Sequence, residues 1–331
     1  MDLRQLGNSD LHISPIILGA WAMGGWYWGG KNDEASIKAI HAALDHGINS
    51  IDTAPVYGQG HSEYIVGKAL KKKRQDVVLM TKVGLRWDKS EGAHFFDIED
   101  NTGKTEIFRN LRPESIKLEV EQSLQRLQTD YIDLLQCHWP DPSCEVEDSM
   151  EALKQLVTEG KVRAVGVSNF EVPLLKRSVK TLSPLPLASN QPHYSLLRRK
   201  LERSILPYLQ ENNIGCIVYS PLAQGLLTGT VSPDRTFPED DGRCGDPAFS
   251  KENRVAVLKA LESLKSITAK HNCSFAQLSA AWCFHKPGIT GAIVGIRTVE
   301  QAKENAAAGE VQLSSADLKT IETAFSHLTR H

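Results

Sequence analysis

Residues 47–57 read Gly-Ile-Asn-Ser-Ile-Asp-Thr-Ala-Pro-Val-Tyr. Ile48 to Ile51 is a short, mostly apolar run after a glycine, which suits a buried strand, and the apolar pattern stops on Asp52. A carboxylate at the tip of a buried strand, with the phenol of Tyr57 one loop-turn later, is where an α/β barrel places chemistry. Asp52 also suits a simple turn cap, and Tyr57 a rim aromatic, so the neighbouring units must decide.

Upstream, residues 3–17 read as a hairpin turning at Gly7–Asp10, and Ile16–Gly19 as a short buried strand. A Gly- and Trp-rich loop, 20–30, leads to a helix from Asp33 in which Ile37, Ile40 and Leu44 share a face and which Gly47 closes. Downstream the unit recurs. Strands are expected at 77–82, 131–138, 162–168, 187–191, 214–220 and 291–295. Helices are expected at 62–70, 114–127, 149–159, 172–180, 201–212, 252–271, 274–285, 299–307 and 314–325. The repeat of roughly thirty residues and the uniformly apolar strands, such as Val77–Met80, predict a (β/α)8 TIM barrel preceded by a β-hairpin. No Pro/Gly/Ser linker divides the chain, so residues 1–331 read as one domain. The connections 84–112 and 223–251 are overlong, and both follow strand C-terminal ends, the face where barrel active sites lie.

The 331 residues are 41% hydrophobic and 24% charged with a net charge of -2, an ordinary soluble composition that offers no basic surface for nucleic acid. The basic run Lys71–Arg74 follows an expected helix and reads as its solvated end. Six cysteines lack Cys-x-x-Cys spacing and suit reduced thiols rather than a disulfide framework or zinc site. Neither a signal peptide nor a membrane-length apolar run is legible, so the expected location is the cytoplasm, with no membrane partner. Oligomeric state is unreadable, and a monomer is the default expectation.

The strand ends carry the chemistry. Asp52 ends the second strand, Lys82 the third and His138 the fourth, with Tyr57 in the loop after the second. Adjacent strands of a barrel bring these four into one patch, where a buried lysine needs the paired aspartate. The ammonium is expected to pull the Tyr57 pKa below the usual 10 or so, making it a proton donor and acceptor near neutrality. Metal chemistry is disfavoured, because the chain has no His-x-His and Lys82 would repel a cation. Neither a G-x-G-x-x-G fingerprint nor a Walker loop is present.

Together with 19–25, GAWAMGG, the stretches IDTAPVYGQGHSE, MTKVG, YIDLLQCHWPDP, GKVRAVGVSNF, NQPHYSLL and YSPLAQGLLTG resemble the aldo-keto reductase superfamily, in order and across 3–325. The similarity is greatest to its bacterial stress-protein and polyol- or inositol-associated reductases. The resemblance implies an enzyme that reversibly reduces small aldehydes and ketones by hydride transfer from NADPH to the carbonyl carbon, or oxidises alcohols and polyols by hydride transfer to NADP+, without metal. It implies a tetrad of Asp52, Tyr57, Lys82 and His138, with Tyr57 as general acid/base, Lys82 tuning it and His138 orienting the carbonyl. By motif, Ser168, Asn169 and Gln191 would hold the nicotinamide carboxamide, and Tyr219 would stack on its ring. Ser220, Leu222, Gln224 and Gly225 would contact the pyrophosphate, Gly19, Ala20 and Trp21 would border the ribose and substrate, and Pro221 and Asp52 would also touch the cofactor. Gly295, Arg297, Gln301, Glu304 and Asn305 match the region of the 2′-phosphate, where a loop meets a helix start. Here Gly295-Ile296 replaces the commonest Lys-Ser, and Gln301 stands where many members have Arg. NADP(H) with some NAD use is therefore expected.

Trp21, Trp26, Tyr27, Trp28, Trp87 and Trp139 are expected on the rim with acidic neighbours Asp88, Glu91 and Asp141, a lining that suits small carbonyls, hydroxy-aldehydes and polyols. Substrate contacts are expected from Trp21, Trp28, Tyr57, Trp87, His138 and Trp139. A second implied possibility is a cofactor-binding regulatory subunit like the potassium-channel β-subunits of the same superfamily, distinguished by lack of turnover. A Schiff-base role for Lys82 is poorly supported, since Asp52 would keep it protonated.

Overall fold

The inward faces of eight parallel strands set the architecture of the computed structural model, which describes residues 1–25, 28, 30–100, 103–238 and 241–328. The strands are β1 (Ile16–Gly19), β2 (Ser50–Asp52), β3 (Val78–Val83), β4 (Ile132–Cys137), β5 (Val162–Ser168), β6 (Leu187–Gln191), β7 (Gly215–Tyr219) and β8 (Gly291–Gly295). They pair in chain order, and β8 closes on β1 with Gly295 opposite Gly19. The (β/α)8 barrel expected from the sequence is the observed fold.

Side chains alternate across a strand, so residues two apart share the interior. Ile17, Met80, Leu134, Ile217 and Ile293 form an apolar layer inside the barrel. Two residues further along the same strands stand Gly19, Lys82, Gln136, Tyr219 and Gly295. The interior thus turns from apolar to polar at the C-terminal end of the strands. Between strands and surrounding helices lies the larger core, which includes Leu18, Ile51, Leu79, Leu135, Val167, Val218 and Val294.

The opposite end of the barrel is plugged. Arg4–Gln5 pairs antiparallel with His12–Ile13, and Leu6, Leu11 and Ile13 are buried against the inner apolar layer. Gly7 makes the turn at φ +56°, where a Cβ would come within 2.6 Å of the Ala188 carbonyl oxygen.

Both overlong connections have structure of their own. The first is a three-stranded antiparallel sheet in the order Leu85–Arg86, Gly103–Arg109, Ala93–Asp100. The second is built from short 3-10 turns, Ala223–Thr228 and Pro247–Phe249. The single helix expected over 252–271 is two, Lys251–Glu262 and Lys265–His271, because the chain turns at Ser263–Leu264.

Candidate active site

Asp52 pairs with Met80 across β2 and β3, so Asp52 and Lys82 point to the same side of the sheet and meet one residue-pair apart. Lys82 is fully buried, and its Nζ donates to Asp52 Oδ2 at 2.7 Å, Thr53 O at 2.9 Å and the Tyr57 hydroxyl at 3.2 Å. Burial alone would strip its proton, but Asp52 and Tyr57 hold its pKa above the usual lysine range. The other carboxylate oxygen, Asp52 Oδ1, accepts from Gln191 Nε2 at 2.9 Å.

Tyr57 corrects one expectation. Burial raises its pKa above the usual tyrosine value and outweighs the pull of Lys82, so the phenol is neutral throughout ordinary pH. Part of the ring still faces the cleft, but the protein crowds the rest closely enough for desolvation to win. His138 stands edge-on to Tyr57, ring centroids 5.7 Å apart. Burial first, and the Lys82 charge second, push its pKa well below the usual 6.5, so it is a neutral imidazole.

Beside this group β5, β6 and β7 contribute a second network. Asn169 Nδ2 donates to Ser168 Oγ at 2.9 Å and His138 O at 3.2 Å, while its Oδ1 accepts from the Tyr219 hydroxyl at 3.0 Å. The Tyr219 ring lies against His193 at 4.9 Å. Asn169, Ser220, Ala223 and Gln224 all take left-handed backbone conformations, φ +47° to +62°, a clustering of strain typical of sites that present backbone to a ligand.

These groups line a cavity of about 510 Å³ at the strand C-terminal ends, within the range of small-molecule sites. Gly19, Trp21, Trp28, Asp52, Tyr57, His138, Trp139, Ser168, Asn169, Gln191, Tyr219, Ser220, Pro221, Leu222, Gln224, Gly225, Gly295, Arg297 and Gln301 all face it, and Lys82 stands directly behind Tyr57. Across its mouth Arg297 Nη1 donates to the Trp28 carbonyl at 2.5 Å, and the Arg297 N–H donates to Gln301 Oε1 at 2.8 Å.

Several expected residues lie elsewhere. Trp87 does not line the cavity; it packs on the apolar cluster of the 85–109 sheet, and Arg126 lies over its ring at 5.9 Å. Glu304 accepts from Ser274 Oγ at 2.8 Å, and Asn305 donates to the Gly295 carbonyl at 3.5 Å, so both brace the helix rather than face the cleft. Ala20 is buried behind the lining and accepts from Ser62 Oγ at 2.9 Å. Trp26 and Tyr27 fall outside the described residues. The acidic neighbours are also turned away. Asp88 is bound by Arg86 at 2.7 and 2.8 Å, Asp141 accepts from the Leu111 N–H at 2.9 Å, and Glu91 is off the lining.

Sequence reasoning missed Leu85 and Phe96 from the first long connection, and Thr228, Thr230, Val231, Arg235 and Arg243 from the second. The one available signal was the excess length of those connections after strand ends. Among the described residues, His94, Asp97 and Glu106 form the one grouping with metal-ligand reach; it is exposed on the outer face of the 85–109 sheet, where Lys104 pairs with Asp97 at 2.9 Å.

A parallel barrel with a Lys–Asp–Tyr network at its strand ends, beside a cleft rich in amide and arginine groups, can hold a small molecule and move a proton to or from its oxygen. The aldo/keto reductase family model matches residues 15–325. The chain is 40% identical over 328 residues to the aldo-keto reductase YhdN of Bacillus subtilis, covering 98% of this chain and 93% of that one. It is 38% identical to the NADH-specific methylglyoxal reductase of Escherichia coli, covering 98% of both. Among solved structures, a glycerol dehydrogenase from Gluconobacter oxydans superposes with a TM-score of 0.87 at 37% identity, covering 98% of this chain and 95% of that one. The chain belongs to the aldo/keto reductase family.

Proposed function

We propose that residues 1–331 work as one domain that reversibly reduces small aldehydes and ketones, or oxidises the corresponding alcohols and polyols, with NADP(H) preferred and NAD(H) also used. The observation that carries this reading is the Lys82 ammonium held between Asp52 and the Tyr57 hydroxyl at the cavity floor.

The cleft fits a nicotinamide dinucleotide by its donor set. At one end the flat Tyr219 ring adjoins the amide and hydroxyl groups of Ser168, Asn169 and Gln191. At the other, Arg297 lies just before the helix Val299–Ala307, and Arg235 also lines the cavity, a donor set that suits phosphates, while the lining Arg243 is held by Asp241 at 2.6 and 2.8 Å. When bound, the nicotinamide supplies or accepts the hydride. The chain's own residues do the rest. Tyr57 donates its phenolic proton to the carbonyl oxygen as charge builds there, and Lys82 stabilises the phenolate that remains. Asp52 keeps Lys82 protonated, and the neutral His138 offers an N–H to orient the carbonyl. Alcohol oxidation runs the same transfer backwards through the phenolate. Use of NAD(H) is supported by the name of the Escherichia coli relative, and small carbonyls and polyols by the names of that relative and the Gluconobacter protein.

The test compares wild type with Tyr57→Phe in NADPH-driven reduction of short aldehydes with EDTA present. Turnover is expected to fall about a hundredfold or more while NADPH affinity, read by fluorescence, holds. A wild type that binds NADPH tightly yet turns over none of the aldehydes overturns the reading in favour of a cofactor-binding regulatory subunit.

A further inference from the structure

The 85–109 sheet packs against the site through an apolar cluster separate from the barrel cores. Ala54, Val56, Leu85, Ile98 and Ile107 are buried in it, and Tyr57, Phe95, Phe96 and Trp139 pack on its edge. Proton donor and sheet therefore share one small core. The sheet is also tied down at several points. Gln59 Nε2 donates to Thr105 Oγ1 at 3.1 Å, Arg109 Nη1 donates to the Pro140 carbonyl at 3.3 Å, and Arg86 is buried between Asp88 and Ser115.

The register explains which side chains reach the cavity. His94 opposes Phe108, yet Phe96 opposes Ile107, so one extra residue, Phe95, is inserted in its strand. Ordinary alternation would send Phe95 and Phe96 to opposite faces. The bulge cancels one step of that alternation, a device that re-aims side chains beside active sites. Phe96 then lines the cavity, and Phe95 packs on the same apolar cluster behind it. Their rings lie 5.1 Å apart; Phe95 meets Trp139 at 5.2 Å under the Arg109 guanidinium, and Phe96 lines the cavity with Leu85, Val56, Trp139 and Tyr57. On the outer face, His94, Asp97 and Glu106 remain exposed. With Asp88 and Asp141 bound elsewhere, the side of the cavity that the sheet supplies is apolar, while His138 and the Trp28 indole N–H lie on the other sides.

We propose that this sheet is the specificity wall of the reaction: Phe96, turned inward by the bulge at Phe95, selects carbonyl compounds bearing an aryl or alkyl tail over short hydroxylated ones. The inference rests on the carbonyl-reductase reading above and adds its preferred substrate class. A hydroxylated tail would lose water against Phe96, Leu85 and Val56 without gaining a partner, whereas an apolar tail gains burial.

The experiment compares hydrocinnamaldehyde with glyceraldehyde in wild type, Phe96→Ala and Phe96→Leu, with cofactor Kd measured on each. Wild type is expected to favour hydrocinnamaldehyde in kcat/KM by about tenfold or more. Phe96→Ala should lower that value about tenfold, mainly through KM, and leave glyceraldehyde within about twofold. Phe96→Leu, which keeps an apolar wall, should recover most of the loss, and cofactor Kd should hold in all three. Wild-type turnover with no preference for hydrocinnamaldehyde, or equal slowing of both substrates by Phe96→Ala, overturns the inference and leaves carbonyl reduction standing. Failure of wild type to reduce either aldehyde overturns both.

Discussion

Lys82 has three protons to give and meets three acceptors, Asp52 Oδ2, Thr53 O and the Tyr57 hydroxyl. A lysine so occupied is an electrostatic partner, and its lone pair is unavailable for Schiff-base chemistry. These residues were legible because polar side chains ended consecutive apolar strands. What the sequence hid was the balance of burial against charge at Tyr57, since burial depends on neighbours from several strands at once. The raised pKa has a direct reading in pH: the phenol stays protonated, so kcat/KM for reduction should show no alkaline loss from Tyr57 below about pH 10. Arg297 is the residue to test for cofactor choice. It holds the Trp28 carbonyl across the cleft and is the guanidinium expected at the 2′-phosphate. Arg297→Ala should raise KM for NADPH about tenfold, the worth of one charge-assisted hydrogen bond, and KM for NADH by less than about threefold. Unchanged KM for NADPH removes Arg297 as the anchor.

At the scale of elements, the barrel strands were readable as apolar runs, whereas the 85–109 sheet was not. Its alternation, Phe96 and Ile98 inward with Asp97 outward, is broken by the adjacent Phe95, so a period-two pattern emerges only once the bulge is known. The same sheet is pinned to the helix Pro113–Leu127 by Glu119. One Glu119 oxygen accepts from the Gly84 N–H at 3.0 Å, and the other is buried without a hydrogen-bond partner. Burial outweighs the nearby Arg86 charge and pushes this carboxyl up to about 8. The folded protein therefore keeps a proton there that the unfolded chain, with a value near 4.5, gives up. Stability from this group is full below about pH 4.5 and is lost as pH rises towards 8. Glu119→Gln should flatten that decline, so its Tm should gain on wild type between pH 5 and about 8. Parallel Tm curves would show that Glu119 is ionised in the fold.

Across the whole molecule, the strand count, chain order and catalytic face followed from repetition of one unit of sequence. The plug was legible only as a hairpin, because its apolar residues bury against strands far away in sequence. Gly7 gives the plug a sharp test. A Cβ there would meet Ala188 O at 2.6 Å and Gly215 N at 2.7 Å, both backbone, whereas Gly160, also at positive φ, has nothing within 4 Å. Gly7→Ala should cost at least about 2 kcal/mol and Gly160→Ala only about 1 kcal/mol, seen as a clearly larger drop in denaturation midpoint for the first. Equal losses would mean that the turn has room to move.

That plug also governs traffic. With Leu6, Leu11 and Ile13 filling the far end, the described residues leave the barrel open at the cavity on its strand C-terminal ends. Ser168, Asn169 and Gln191 lie at the strand ends that form the chamber floor, while Phe96 comes from the sheet added over that face. Under the proposed reading, cofactor and carbonyl compound share that opening, so the occupancy of one limits the passage of the other.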